Sequence, residues 1–93
     1  MTYQEALAEA QSHVAEVPLD HPDYRLGFSQ GREVPEGWYF DYSIEPIRPI
    51  PESEREEFAG APGFIIPSTG TEPRVVSWAE FSERKLGEAP LAS

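Results

Sequence analysis

Trp38, Phe40, Tyr42 and Ile44 alternate strictly with Tyr39, Asp41, Ser43 and Glu45 along the stretch from Gly37 to Glu45. Successive side chains of a strand point to opposite faces, so this alternation predicts a half-buried strand. The first set needs a cover. The second set is polar or amphipathic throughout and is expected to face water or a partner. Nearer the start, Tyr3, Leu7, Ala10, Val14 and Val17 recur at spacings of four and three, the stripe of an amphipathic helix about four turns long. Thr2 and Glu5 form its capping box, and Val17, lying before Pro18, is pushed out of helical geometry.

The remaining pattern fills in around these segments. Tyr24, Leu26 and Phe28 alternate in a first strand, Tyr24 to Gln30, which should pair with the central strand as an antiparallel hairpin. The intervening loop from Gly31 to Glu36 is expected to project. Pro46, Pro49 and Pro51 lack ladder donors and predict an extended connector. Ser53 and Glu56 make a second capping box for a short helix to about Ala59, with Phe58 docking on the sheet. Gly60 to Gly63 breaks that helix. Phe64-Ile65-Ile66 is a wholly apolar, buried type of strand, and Arg74 to Ser77 returns after the Pro67 to Pro73 turn. Ser77 and Glu80 cap a last helix bearing Trp78, Phe81 and Leu86 and stopped by Gly87; Glu88 to Ser93 is expected to fray. The class is α+β. The expected architecture is a four-stranded antiparallel sheet made from two hairpins, with the N-terminal and C-terminal helices on one face and a short helix in the connector. One domain is expected, with its ordered core over residues 2–87.

Charge changes this picture more than composition does. The 93 residues hold 39% apolar and 12% aromatic side chains, enough for one core. Seventeen acidic against seven basic residues give a net charge of -10, which disfavours nucleic acid and anionic lipid and favours a basic protein partner. Cysteine is absent, so thiol chemistry and disulfides are excluded, and an intracellular, cytoplasmic setting is the simplest expectation. No apolar run approaches the ~20 residues that span a bilayer, and the first residues lack the pattern of a signal peptide.

The chain carries no phosphate loop, dinucleotide fingerprint, GxSxG elbow or HExxH pair. His13 and His21 have no second histidine or cysteine at ligand spacing and read as surface side chains. No catalytic residue, cofactor or metal is expected, and the protein reads as a binder. The surface expected to bind combines Tyr39, Asp41 and Glu45 on the open strand face with Glu52, Glu54, Glu56 and Glu57 at the acidic helix start beside the connector. Tyrosine supplies contact area and the acids supply orientation. The acids are spread over several segments, which argues against a nucleic-acid mimic.

Gly37-Trp38-Tyr39-Phe40, then Phe58-Ala59-Gly60-Ala61-Pro62-Gly63-Phe64-Ile65-Ile66 and Ser68-Thr69-Gly70, together with Thr2-Tyr3-Gln4-Glu5-Ala6, resemble the YrhB-like domain of the immunity-protein-35 family of bacterial polymorphic toxin systems. The likeness runs over roughly positions 2–86. Two features depart from the family's pattern: Gly63 is additional between Pro62 and the apolar strand, and Pro67 stands where the family usually has an acid. The resemblance implies a small cytosolic protein that neutralises a cognate toxin by direct binding. The alternative is a stand-alone accessory or chaperone-like domain that binds another protein.

Overall fold

The alternating stretch forms the longest strand, Gly37–Pro46, and the rest of the sheet is laid along its two edges. In chain order the elements are α1 (Tyr3–Glu16), β1 (Tyr24–Phe28), β2 (Arg32–Val34), β3 (Gly37–Pro46), β4 (Gly63–Pro67), β5 (Arg74–Val76) and α2 (Trp78–Glu83). The computed structural model describes residues 1–17, 22–54 and 60–92. All pairings are antiparallel, in the order β1-β3-β4-β5, with β2 also on β3, so the α+β class and the sheet of paired hairpins are as the pattern predicts.

β1 and β2 lie one after the other along the same edge of β3. Phe28 stands opposite Tyr42, whereas Arg32 stands opposite Tyr39. Over that step the outer strand uses one residue more than β3, which is a β-bulge at residues 29–31. Gly31 sits at the bulge with its N–H donated to Tyr3 Oη at 3.0 Å. A Cβ there would lie 2.8 Å from ring carbons of both Tyr3 and Phe40, so only glycine lets the two rings close over it. The segment expected as a projecting loop is therefore mostly strand. Val34 pairs with Gly37, leaving only Pro35 and Glu36 as the turn. Gly37 (φ +155) brings its Cα within reach of the Ile66 carbonyl, where a Cβ would lie 2.2 Å from that oxygen.

α1 begins on the expected capping box: Thr2 Oγ1 accepts from the Glu5 N–H (3.2 Å) and Glu5 Oε1 from the Thr2 N–H (3.0 Å). It ends at Val17, which is already extended before Pro18. Ala6 and Ala10 are fully buried, and with Tyr3, Leu7 and Val14 they cover Phe40, Phe64 and Ile66. Trp38, Tyr42 and Phe28 close the margins of this first core.

The C-terminal helix does not share that face. Tyr39, Ile65, Val76 and Leu86 form a second core, flanked by Val34 and Phe81, on the other side of the sheet. The reason is in β4: Phe64, Ile65 and Ile66 are apolar on consecutive positions, so both faces of that strand must be kept from water. α1 covers one face and the α2 segment covers the other. α2 is also shorter than its pattern suggests. It stops at Glu83, Lys85 takes a left-handed conformation (φ 51), and Leu86 reaches the second core from a 3-10 turn, Leu86–Glu88. Ser77 Oγ accepts from the Glu80 N–H at 3.1 Å, but the Glu80 carboxylate serves arginines, so only half of that capping box forms.

Residues expected to fray after 87 are docked instead. Leu91 bridges Arg32, the Glu33 N–H donates to the Pro90 carbonyl at 2.8 Å, and Ala92 is 1% exposed. β2 has an unpaired outer edge, and this segment satisfies it. In the connector Glu52–Glu54 form a 3-10 turn; Glu56 of the expected Ser53–Glu56 capping box, Phe58 and His21 lie outside the described residues.

Candidate interaction surface

The expected binding residues are not brought together as one patch. Tyr39 is the clearest correction: it is 0% exposed and belongs to the second core, its ring 6.0 Å from that of Phe81. A tyrosine ring has enough apolar area to be drawn under a helix provided its hydroxyl finds a partner. Here Tyr39 Oη donates to Asp41 Oδ1 at 2.8 Å along the same face. Burial, and secondly this bond to a carboxylate, push the phenol well above its ordinary range. Asp41 is thereby committed to holding the ring. Tyr39→Phe is expected to lower stability by about 1 kcal/mol, the value of one such bond, in urea unfolding, and to leave partner binding unchanged.

Beyond Asp41 the same face continues as Ser43 and Glu45 on β3, facing Gly27 and Arg25 on β1. Glu45 is exposed and pairs with Arg25 at 3.2 Å. Glu52 and Glu54 are exposed on the connector turn, while Glu56 and Glu57 lie outside the described residues. The sequence therefore places Glu45, Glu52 and Glu54 at the surface correctly, and misplaces Tyr39.

A cluster that the sequence reading missed joins three segments. Glu36, at the β2–β3 turn, accepts from Arg84 Nη2 at 2.5 Å and from Arg74 Nη2 at 3.2 Å. Glu80 accepts from Arg74 Nη1 and from Arg84 Nη1, each at 2.7 Å. Only the Glu80–Arg84 pair, one helical turn apart, is visible in the sequence; Glu36 and Arg74 arrive through tertiary structure. Hydrogen bonds from Arg74 and then Arg84 pull Glu80 down to about 2, and Arg84 holds Glu36 below the ordinary carboxylate range. An open groove of about 490 Å³ runs from this cluster between Pro35 and Pro67 over Ile65, with Glu72 on its rim.

His13 is not a simple surface side chain either. Its Nε2 lies 2.7 Å from Tyr42 Oη and its ring 4.3 Å from that of Phe64. Burial lowers its affinity for a proton, against the opposing charge of Glu16. A folded-state pKa below the unfolded value of 6.5 means that the unfolded chain takes up the proton first. Stability should thus be level above pH 6.5 and fall as the pH drops below it. Glu80 acts lower down: its contribution is present above pH 4.5 and lost toward pH 2. Urea midpoints measured from pH 8 to 5 should show the first decline in the unmodified protein and its loss in His13→Gln. An undiminished decline in that variant would contradict the assignment to His13.

Charge is distributed unevenly between paired and unpaired groups. Among the described residues Arg25, Arg48, Arg74 and Arg84 each sit on a carboxylate, and Arg32 donates to the Ala89 carbonyl. Glu9 and Glu16 on α1, Glu33 on β2, Glu52 and Glu54 on the connector turn, and Glu72 in the β4–β5 loop are exposed and form no ion pair with another described residue. Lys85 is likewise exposed and in no ion pair with a described residue, so among the described residues the unpaired acids outnumber the unpaired cations.

Among the described residues no group of three or more His, Asp or Glu side chains is arranged to hold a metal ion, and no helix is long and apolar enough to cross a membrane. Comparison with family models, with curated proteins and with solved structures gives no match to this chain.

Proposed function

We propose that this chain is a cytoplasmic protein-binding domain that captures a basic partner through its unpaired surface acids and acts by occlusion rather than catalysis. The observation that carries the reading is the division of charge among the described residues: the arginines are taken up by carboxylates and carbonyls, while exposed glutamates on several elements stand without an ion pair against one exposed lysine, Lys85. Such a surface accelerates encounter with a cationic protein and repels nucleic acid. Tyr39, Asp41, Glu36 and Glu80 are used in building the fold, which leaves Glu52 and Glu54 of the connector turn as the unpaired described members of the expected surface, with Glu45 exposed but paired to Arg25.

The partner class follows from the residue pattern that resembles the YrhB-like immunity domain: a toxin, encoded nearby, that this protein neutralises by direct binding. Expressing such a toxin in a host with and without this chain is the test. Growth restored by the chain is expected; equal arrest in both cultures would end the immunity reading. Retained binding to some other basic protein would then place the chain with accessory binders.

A further inference from the structure

We propose that the outer edge of β2 is a strand-addition site for an extended segment of a basic partner protein, and that residues 89–92 occupy it in cis. The proposal rests on the protein-binding reading above and gives that binding a place. The chain displays the occupant's chemistry itself. The Glu33 N–H donates to the Pro90 carbonyl at 2.8 Å, and the Ala92 N–H donates to the Gly31 carbonyl at 2.9 Å. Gln30 Nε2 donates to the Ala92 carbonyl and Arg32 Nη1 to the Ala89 carbonyl, each at 2.7 Å. Every one of these bonds grips main chain, as in recognition by β-strand addition.

Side chains are asked for very little. Leu91, centred on the bridge to Arg32, is 56% exposed, and only Ala92 is enclosed, at 1%. The seat therefore accepts an extended segment with a small residue at the position of Ala92. A segment held by edge hydrogen bonds and one buried methyl group belongs to the low-stability end of a fold, and can open without the core. The preceding turn stays anchored by Leu86, 2% exposed in the second core. The occupant's charge follows from the surroundings. Glu33 is exposed at the middle of the edge, Glu88 is exposed beside it, and Arg32 is already spent on a carbonyl, within a molecule of net charge -10. A basic segment is attracted there and an acidic one repelled.

The test uses the full chain and the synthetic peptide Lys-Ala-Pro-Leu-Ala-Lys, followed by NMR at the amides of Gly31 and Glu33, with a scrambled peptide of equal charge as control. In Ala92→Gln the cis segment loses its small anchor, so the peptide should bind about tenfold more tightly or better than to the unmodified chain, because more of the site stands open. In Gln30→Met/Arg32→Met that binding should be lost. Equal affinity for the unmodified chain and Ala92→Gln, shifts centred elsewhere, or undiminished binding in the double variant would overturn the proposal. If the double variant still captures the natural partner at full affinity, strand addition falls and the protein-binding reading stands. If the unmodified chain captures no protein at all, both fall.

Discussion

Gly63→Ala is expected to lower the urea midpoint sharply, although it adds a single methyl group. Gly63 lies opposite Asp41 in the β3–β4 ladder, and a Cβ on it would lie 2.2 Å from the Phe40 carbonyl oxygen and 2.6 Å from Tyr39 Oη. Neither neighbour can give way cheaply. The carbonyl belongs to the central strand, and the phenol is fixed between the second core and Asp41. Relief requires β4 to part from β3, at a cost of about 3 kcal/mol or more. That is a large share of the roughly 5–15 kcal/mol holding a domain of this kind together. Urea unfolding is the measurement, with Gly60→Ala as the control. Nothing lies within 4 Å of a Cβ at Gly60, so its cost should stay within about 0.5 kcal/mol. A cooperative transition for Gly63→Ala at the unmodified midpoint would contradict the close β3–β4 contact.

Phe64→Ala should be comparably damaging for the opposite reason, a hole rather than a clash. Phe64 is 0% exposed, and its ring lies 5.5 Å from that of Phe40, 5.1 Å from Tyr42 and 4.3 Å from His13. It is where α1, β3 and β4 meet, so truncation leaves a cavity that none of the three can close alone. The expected loss is about 3–5 kcal/mol, measured by the same unfolding experiment. His13 should also titrate nearer its ordinary range as water enters. Val75, paired opposite Phe64 yet 52% exposed, is the comparison: Val75→Ala should cost well under 1 kcal/mol.

These two substitutions bear on a difference between what the chain pattern says and what the fold does. The bounds of α1 are legible because its cap and its stop are local, whereas buried Ala6 and the packing of His13 are not. β3 is legible too, as a strand whose Trp38, Phe40 and Tyr42 side packs under a helix. The other side was misjudged because Asp41, Ser43 and Glu45 outvote Tyr39 when polarity is counted residue by residue. The sheet is not uniform along its length: its Tyr39 end is roofed by Phe81 and Leu86, and its Glu45 end is open. The unbroken apolar run of β4 was the available sign that both faces are covered.

The bulge at Gly31 and the docking of residues 89–92 have no local signature, since each depends on partners far away in sequence. The candidate surface was legible to the same degree. Glu45, Glu52 and Glu54 are outside because nothing apolar recommends burying them. That Glu36 and Glu80 are consumed by Arg74 and Arg84 could only be learned from tertiary structure.

The most direct test of capture through unpaired acids is the association rate of the purified protein with its partner as ionic strength is raised. Between about 10 mM and 1 M salt the screening length falls from roughly 30 to 3 Å. A rate that drops steeply across this range, with dissociation changing much less, is the expected result. A rate indifferent to salt would mean that the glutamates serve solubility alone and that the partner is gripped by other chemistry.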